Sequence, residues 1–208
     1  MPTHALTAAM FSSEGMQHVF SAESTVQRML DFEAALARAL AAEDVIPASA
    51  VGPWVGCCDA AQIDLGALAQ AAQGAGNLAI PLVRQLTAQV ARVDADAARY
   101  VHWGATSQDV IDTGMVLQLR DALDGITIHL AELADALASL ALRHCDTPMI
   151  GRTWLQHALP ISFGLKAAGW LDAVLRHQQR LLEMRARLCV LQFGGAAGTL
   201  ASLGDRRS

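Results

Sequence analysis

The chain has 208 residues and a formal net charge of −5, from 15 lysines and arginines against 20 aspartates and glutamates. Without a basic surplus a nucleic-acid-binding protein is disfavoured, and a charged content of 17% excludes a disordered chain. Hydrophobic residues reach 53% while aromatic residues are 5%, and β-branched runs are scarce, so the composition predicts an all-α protein rather than a β-sandwich or barrel.

The first hundred residues have the pattern of a small domain built from short helices. Ser21 is a suitable N-cap for one helix, and Asp64 is a suitable N-cap for another that ends at Gly74 or Gly76. The apolar residues of the first helix fall near one face: Val26, Met29, Leu30, Leu36 and Leu40. We therefore predict an N-terminal helical domain over residues 1–104.

Two much longer helices are predicted in the second half of the chain. Apolar residues recur at helical spacing from Thr106 to about Arg143 without a proline, which corresponds to a helix of roughly 55 Å. A second long helix extends from about Pro160 to Val190. Helices of this length are typical of a bundle, and two do not complete one. We predict that residues 105–208 form part of a central helical-bundle domain that is incomplete at its end.

Membrane and secretory proteins are disfavoured by the placement of charges. Acidic residues such as Asp121 and Glu132 interrupt the apolar stretches, so none reaches the roughly 20 residues of a membrane span. Residues 1–6 lack a basic region followed by an apolar core, so no signal peptide is predicted. The four cysteines form no CxxC pair and the histidines have no partners at ligand spacing. We predict a cytoplasmic protein with buried thiols and no metal site.

The first polar cluster is the segment from His102 to Asp109, where the small domain meets the long helix. Thr106 and Asp109 have the spacing of a capping box, which would explain both without any function. The alternative is a carboxylate site, because the free N–H groups and dipole of a helix N-terminus favour an anion. The hydroxyls of Thr106 and Ser107 would add donors, and His102 can relay a proton near neutral pH. The residues alone leave both interpretations open.

The second polar cluster spans residues 151–160 and joins the two long helices. Pro160 can open a helix, Arg152 can pair with a neighbouring carboxylate, and a histidine beside apolar residues, such as His157, is more often structural than catalytic. A role in a site is the alternative. The glycine-rich segment 194–199 matches neither a P-loop nor a dinucleotide fingerprint, and a flexible turn or hinge is favoured there.

These two clusters, in this order and on long helices, resemble the fumarase/aspartase superfamily. The first is similar to its Thr-Ser-x-Asp region and the second to its Gly-Arg-Thr-x-x-Gln-x-Ala-x-Pro region. The sequence is closer still to the bacterial 3-carboxy-cis,cis-muconate cycloisomerases of the β-ketoadipate pathway in residues 11–14, 76–83 and 100–114. The resemblance covers the chain from about residue 10 to 205.

The resemblance implies a cycloisomerase that adds the substrate's own carboxylate across a double bond to form 4-carboxymuconolactone. Trp154 stands where lyases of the superfamily usually place a histidine for proton transfer, and tryptophan cannot titrate. The catalytic residues implied are Ser107, Thr106 and His102. The substrate-binding residues implied are Gln108, Arg152, Thr153, Trp154 and Gln156. No cofactor and no metal are implied.

The superfamily's third motif, Gly-Ser-Ser-x-Met-Pro-x-Lys-x-Asn, does not occur in this sequence. In the superfamily it supplies a catalytic serine, a lysine and an asparagine, and each site is built from three subunits of a homotetramer. The resemblance therefore implies a small polycarboxylate substrate, a homo-oligomer, no nucleic-acid or membrane partner, and little activity in the chain alone. Two alternatives remain: a fumarate-releasing lyase such as adenylosuccinate or argininosuccinate lyase, and a non-catalytic helical oligomerisation module.

Overall fold

The computed structural model describes residues 10–204 of the chain. The predicted lack of a signal peptide at residues 1–6 and the predicted incomplete end at residues 205–208 lie outside the described residues. The chain divides into two compact units. Unit 1 comprises Met1–Leu119 with Cys189–Ser208, and unit 2 comprises Arg120–Leu188.

Unit 1 consists of short helices, as predicted, together with the first part of one long helix. Its helices are α1 (Glu14–Val19), α2 (Ala22–Ala42), α3 (Val51–Gly56), α4 (Leu65–Ala75), α5 (Ala79–Val93) and the start of α6 (Ser107–Arg143). Short 3₁₀ turns lie at Ala48–Ala50, Ala60–Gln62, Ala97–Tyr100 and Ala201–Leu203. The predicted boundary between an N-terminal domain and a bundle domain, at residues 104 and 105, stays a prediction.

The helix caps predicted in unit 1 are present. The Ser21 hydroxyl accepts a hydrogen bond from the Ser24 backbone N–H at 3.0 Å, and the Asp64 carboxylate accepts one from the Ala67 N–H at 2.9 Å. Gly76 ends α4 in the left-handed conformation, with φ +73°. Each contact satisfies a backbone group that a helix end leaves unpaired, so these residue types determine where α2 and α4 begin and end.

The core of unit 1 forms around α2 and α5. All five apolar residues predicted to share one face of α2 are buried. They pack in one cluster with Trp54 of α3 and with Leu82 and Leu86 of α5, all three of which are inaccessible to solvent. Full burial of side chains of this size contributes about 1.5–3 kcal/mol each, so this cluster supplies most of the driving force for folding of unit 1.

Unit 2 contains a feature that the sequence interpretation missed, a two-stranded antiparallel hairpin between its helices. The strands are β1 (Pro148–Thr153) and β2 (Gln156–Ser162), and the following helix is α7 (Phe163–Leu188). Pro148 pairs with Ser162 and Thr153 pairs with Gln156, with an irregularity between Ile150 and Arg152. The predicted helix start at Pro160 is therefore wrong. Pro160 lies in β2, and a proline tolerates such a position in a two-stranded sheet, where every strand is an edge.

Helices account for most of the described residues, and the hairpin is the only sheet among them, so the predicted all-α class is confirmed. Helix α6 also contains an 18-residue stretch with mean hydropathy 1.4 and at most two charged residues, which by length and composition could cross a bilayer. The acidic residues therefore interrupt its apolar character less than the sequence prediction assumed. The central helices of bundles share this composition.

Candidate functional site

The first polar cluster lies on a tight turn that leads into α6. His102 has φ +65° and Gly104 has φ +84°, so the chain reverses through two left-handed residues. A Cβ added at Gly104 would lie 2.7 Å from the Leu203 Cδ2 atom. Glycine is therefore favoured at residue 104 by its backbone conformation, and a larger residue would also require the Leu203 side chain to shift. This turn fixes the direction in which the His102 side chain leaves the backbone.

Asp109 anchors the start of α6. Its carboxylate is buried, at 2% exposure, and accepts three backbone hydrogen bonds: Oδ2 from the N–H groups of Thr106 and Gly195, and Oδ1 from that of Gly194, each at 3.0 Å. The bond to Thr106 is one half of the predicted capping box. No described hydrogen bond involves the Thr106 hydroxyl, which leaves that hydroxyl available to a ligand while Asp109 is committed to structure.

The glycine-rich segment is a turn, as predicted, with Gly195 at φ +68° and Gly198 at φ +75°. It is also tied to α6. Besides the Asp109 contacts, the Thr113 hydroxyl donates to the Gln192 carbonyl oxygen at 3.0 Å and accepts from the Gln192 N–H at 3.1 Å. Four hydrogen bonds therefore hold residues 192–195 against one face of α6. The hinge named as the alternative stays a prediction.

A cavity of about 380 Å³ opens beside the N-terminus of α6. Its wall includes the three residues of the first cluster predicted to be catalytic: His102, Thr106 and Ser107. The other lining residues are Ala79, Ile80, Val83, Arg84 and Ala105. Gln108 is not among them, and its amide donates to the Asp112 carboxylate at 2.6 Å. The structure therefore brings three of the four predicted residues of this cluster together.

Arg84 is a cavity residue that the sequence interpretation missed. It is exposed on α5, and it is the only basic side chain in the wall apart from the imidazole of His102. A guanidinium, two hydroxyls and a helix N-terminus together provide an environment that suits a carboxylate. The signal in the sequence was the position of Arg84 directly after residues 76–83, which carried part of the family resemblance.

Glu33 is the second residue that was missed. It lies on α2 and is completely buried, and its Oε1 atom lies 2.6 Å from the Nδ1 atom of His102. Its charge also affects Cys58. Burial, and next the negative charge of Glu33, raise the pKa of the Cys58 thiol to about 12. The sequence signal for Glu33 was an acidic side chain within the apolar face of α2.

Cys58 is accordingly expected to be unreactive in the folded protein. At about pH 8 a thiol with this pKa holds almost no thiolate, which is the form that an alkylating agent attacks. Cys145 is exposed and is expected to react first with iodoacetamide, whereas Cys57 and Cys58 react only after unfolding. Mass spectrometry of labelled peptides, with and without guanidinium, measures this order. Equal labelling of Cys58 and Cys145 in native buffer would contradict it.

The exposure of Cys145 also shows that the predicted burial of the thiols was wrong at that position.

The second polar cluster lies on the hairpin of unit 2. Trp154 and Leu155 form its turn, with φ +46° and +62°, and their side chains are 96% and 98% exposed. Thr153 and Gln156 pair on either side of this turn. His157 is exposed and pairs with Arg152 across the strands; whether its role is structural or catalytic stays a prediction.

Arg152 lines a second cavity, of about 340 Å³, that lies between the hairpin and the start of α7. The other lining residues are Met149, Ile150, Gly151, Ile161, Leu165 and Lys166. Among the ion pairs of the described residues none includes Arg152, so the proposed pairing with a neighbouring carboxylate is not found there. Lys166 gives this cavity a second cationic side chain, which suits an anionic group.

Comparison with known proteins matches residues 9–208 to a family described as lyase. A 3-carboxy-cis,cis-muconate cycloisomerase from Bradyrhizobium diazoefficiens is 57% identical over 201 residues, which cover 97% of this chain and 45% of the relative. The crystal structure of the 3-carboxy-cis,cis-muconate lactonizing enzyme from Pseudomonas putida matches with a TM-score of 0.93 and 56% identity, over 96% of this chain and 45% of that one.

A fumarate lyase from Mesorhizobium sp. BNC1 also matches, with a TM-score of 0.85 and 46% identity over 92% of this chain and 44% of that one. The chain therefore spans somewhat less than half the length of each of these relatives.

Proposed function

The chain belongs to the lyase family, and we propose that it forms part of a 3-carboxy-cis,cis-muconate cycloisomerase that acts in aromatic catabolism in the cytoplasm. The observation that carries this proposal is the cavity at the N-terminus of α6, whose lining includes Thr106, Ser107, His102 and Arg84. The substrate of such an enzyme carries three carboxylates, so it needs several sites of this kind. The two relatives that share this activity by name support the choice of reaction.

The reaction joins two parts of one molecule. A carboxylate oxygen of the substrate bonds to one carbon of a double bond, the electron pair moves to the neighbouring carbon and its carboxylate, and a proton then adds to that carbon. Preorganised donors that face the carboxylate where negative charge accumulates stabilise this transition state, usually as the largest catalytic contribution. Thr106 and Ser107 supply such donors in this proposal, with Arg84 as the counter-charge and His102 as the proton relay.

The remaining predicted site residues bind substrate carboxylates in this proposal. Gln108 acts from α6, and Arg152, Thr153 and Gln156 act from the hairpin. Trp154 forms an apolar wall that cannot exchange a proton, which favours addition by the substrate's own carboxylate over elimination by an enzyme base. No cofactor is required, because the nucleophile and the electrophile belong to the same substrate.

The whole protein is a homo-oligomer in this proposal, with a tetramer as the expected form. Large apolar side chains of unit 2 are exposed along both of its helices: Ile126, Ile128, Leu133 and Leu142 on α6, and Leu165, Leu175 and Leu182 on α7. Exposed apolar faces of this extent mark surfaces that another protein segment covers. A central bundle assembled from several copies would bury them.

A fusion protein tests the proposed activity. Residues 1–208 are joined to the part of the Bradyrhizobium relative that this chain does not cover, and the fusion is expected to convert 3-carboxy-cis,cis-muconate to 4-carboxymuconolactone. Residues 1–208 alone are expected to show little or no turnover. Loss of the ultraviolet absorbance of the diene and NMR of the product measure the reaction.

Ser107→Ala in the fusion is expected to lower kcat by about 10²-fold, because it removes one preorganised donor. Ser139→Ala, on the exposed face of the same helix, is the matched control and is expected to retain full activity. A folded, oligomeric fusion that forms no lactone would refute the cycloisomerase. Release of fumarate from adenylosuccinate or argininosuccinate by that fusion would instead establish the lyase alternative, which the similarity to a fumarate lyase supports. If the folded fusion catalyses neither reaction, the non-catalytic oligomerisation module is the alternative that remains.

A further inference from the structure

The carboxylate of Glu33 is buried at a position where a charged group is costly. Glu33 is fully inaccessible to solvent, and its neighbours on the same face of α2 include the equally inaccessible Leu30 and Ala37. Removing an ionised carboxylate from water is strongly unfavourable unless a partner compensates. Among residues 10–204 the side chain has one hydrogen bond, which Oε1 accepts from the Nδ1 atom of His102, and Oε2 has no partner. The burial of Glu33 therefore depends on His102.

The backbone holds His102 in place for this contact. Residue 102 is left-handed at φ +65°, a conformation in which histidine is enriched relative to most residues but which is still strained. The Leu203 side chain lies close to Gly104 in the neighbouring turn. With the backbone and Nδ1 both fixed, the imidazole ring has one orientation. Because His102 lines the cavity, Nε2 is the ring nitrogen left to face it.

A carboxylate that accepts from Nδ1 fixes the tautomer of a histidine. It holds the proton on Nδ1 in the neutral ring, so that Nε2 keeps its lone pair, and it stabilises the imidazolium when Nε2 takes up a proton. We propose that Glu33 is a positioning residue that holds His102 with Nδ1 protonated and Nε2 directed to the cavity beside Ser107. This inference deepens the proposed function, since the relay role of His102 rests on it, but the state of the ring can be measured without any turnover.

The first test is ¹⁵N NMR of the imidazoles in the 208-residue chain. His102 is assigned by comparison with His102→Gln. In the neutral ring the expected spectrum places the proton on Nδ1, and Glu33→Gln is expected to move it to Nε2, because the Gln amide can donate to Nδ1. Glu23→Gln, at an exposed position of the same helix, is the matched control and leaves the spectrum unchanged. A wild-type His102 with its proton on Nε2 would overturn the proposal, even where Glu33→Gln fails to fold.

The second test asks whether Glu33 acts through His102, in the fusion protein described above. Glu33→Gln is expected to lower kcat about 10²-fold while KM changes less than about twofold, in the range of a lost proton-transfer group. Combining Glu33→Gln with His102→Gln is expected to cost no more than His102→Gln alone. Equal losses in both backgrounds would refute the positioning role. If the fusion has no cycloisomerase activity, the proposed function fails while the NMR result still decides the state of His102.

Discussion

Replacement of Asp109 by alanine is expected to lower the free energy of unfolding of the protein by about 3–5 kcal/mol. The buried carboxylate accepts backbone hydrogen bonds from Thr106, Gly194 and Gly195. Its removal leaves three N–H groups without their acceptor, and a net loss of about 1–1.5 kcal/mol for each hydrogen bond accounts for the expected decrease. It also detaches the segment around residue 194 from the start of α6. Few single substitutions outside an apolar core have a comparable effect.

Urea denaturation followed by circular dichroism measures this loss, and hydrogen exchange at Gly194 and Gly195 localises it. Both amides are expected to lose protection in Asp109→Ala before the rest of unit 1 unfolds. Asp112→Ala is the matched control, because Asp112 lies three residues further along the same helix and contacts only the Gln108 amide among the hydrogen bonds described. It is expected to change stability by less than about 0.5 kcal/mol. A similar loss in both variants would show that Asp109 is not the anchor.

Replacement of Gly164 by alanine is expected to destabilise unit 2 by about 3 kcal/mol, the upper part of the range for overpacking. A Cβ at this position would lie 2.5 Å from the carbonyl oxygen of Ala141 and 2.7 Å from the Cα atom of Cys145. Both obstacles are backbone atoms, which cannot move aside by a change of rotamer. Gly164 also donates its N–H to the His144 carbonyl oxygen at 2.8 Å, so the end of α6 and the start of α7 touch at this residue.

Gly169→Ala is the matched control for this substitution. It lies on the same helix, and a Cβ there meets no atom within 4 Å, so alanine is expected to stabilise the helix by about 0.5–1 kcal/mol. Thermal unfolding of the two variants should therefore shift in opposite directions. Equal shifts would mean that helix propensity rather than the close approach at Gly164 determines the result.

The sequence predicts those elements of the fold that local chemistry decides. Ser21, Asp64 and Gly76 act on backbone groups within a few residues of themselves, so their roles follow from the sequence. The hairpin was missed because its turn is Trp154-Leu155, which lacks the glycine or asparagine that usually marks two left-handed residues in succession. Its strands are also short and, apart from Gly151, at least partly exposed, so they show no clear alternation.

The part of the site that was predicted is the part formed by residues that are neighbours in the sequence. His102, Thr106 and Ser107 are close in sequence, and the start of a helix brings them together. Glu33 lies 69 residues from its partner, and only the packed structure reveals that contact. The sequence alone could not decide whether Thr106 and Asp109 form only a helix cap or belong to a carboxylate site, whereas the three backbone donors of Asp109 show that its carboxylate is committed to structure.

The hydrogen bonds of Asp109 also have a consequence for the order in which the protein folds during its synthesis. On the ribosome this residue is made 85 positions before the first of the two glycines that it binds, a delay of roughly 4–17 s at the usual rates of synthesis. During that interval the Asp109 carboxylate lacks two of its three backbone donors. All of unit 2 is synthesised between Asp109 and Gly194. The anchor at Asp109 is therefore completed only after residues 194 and 195 have been made. A chain released before residue 194 would leave the Asp109 carboxylate without two of its three backbone donors.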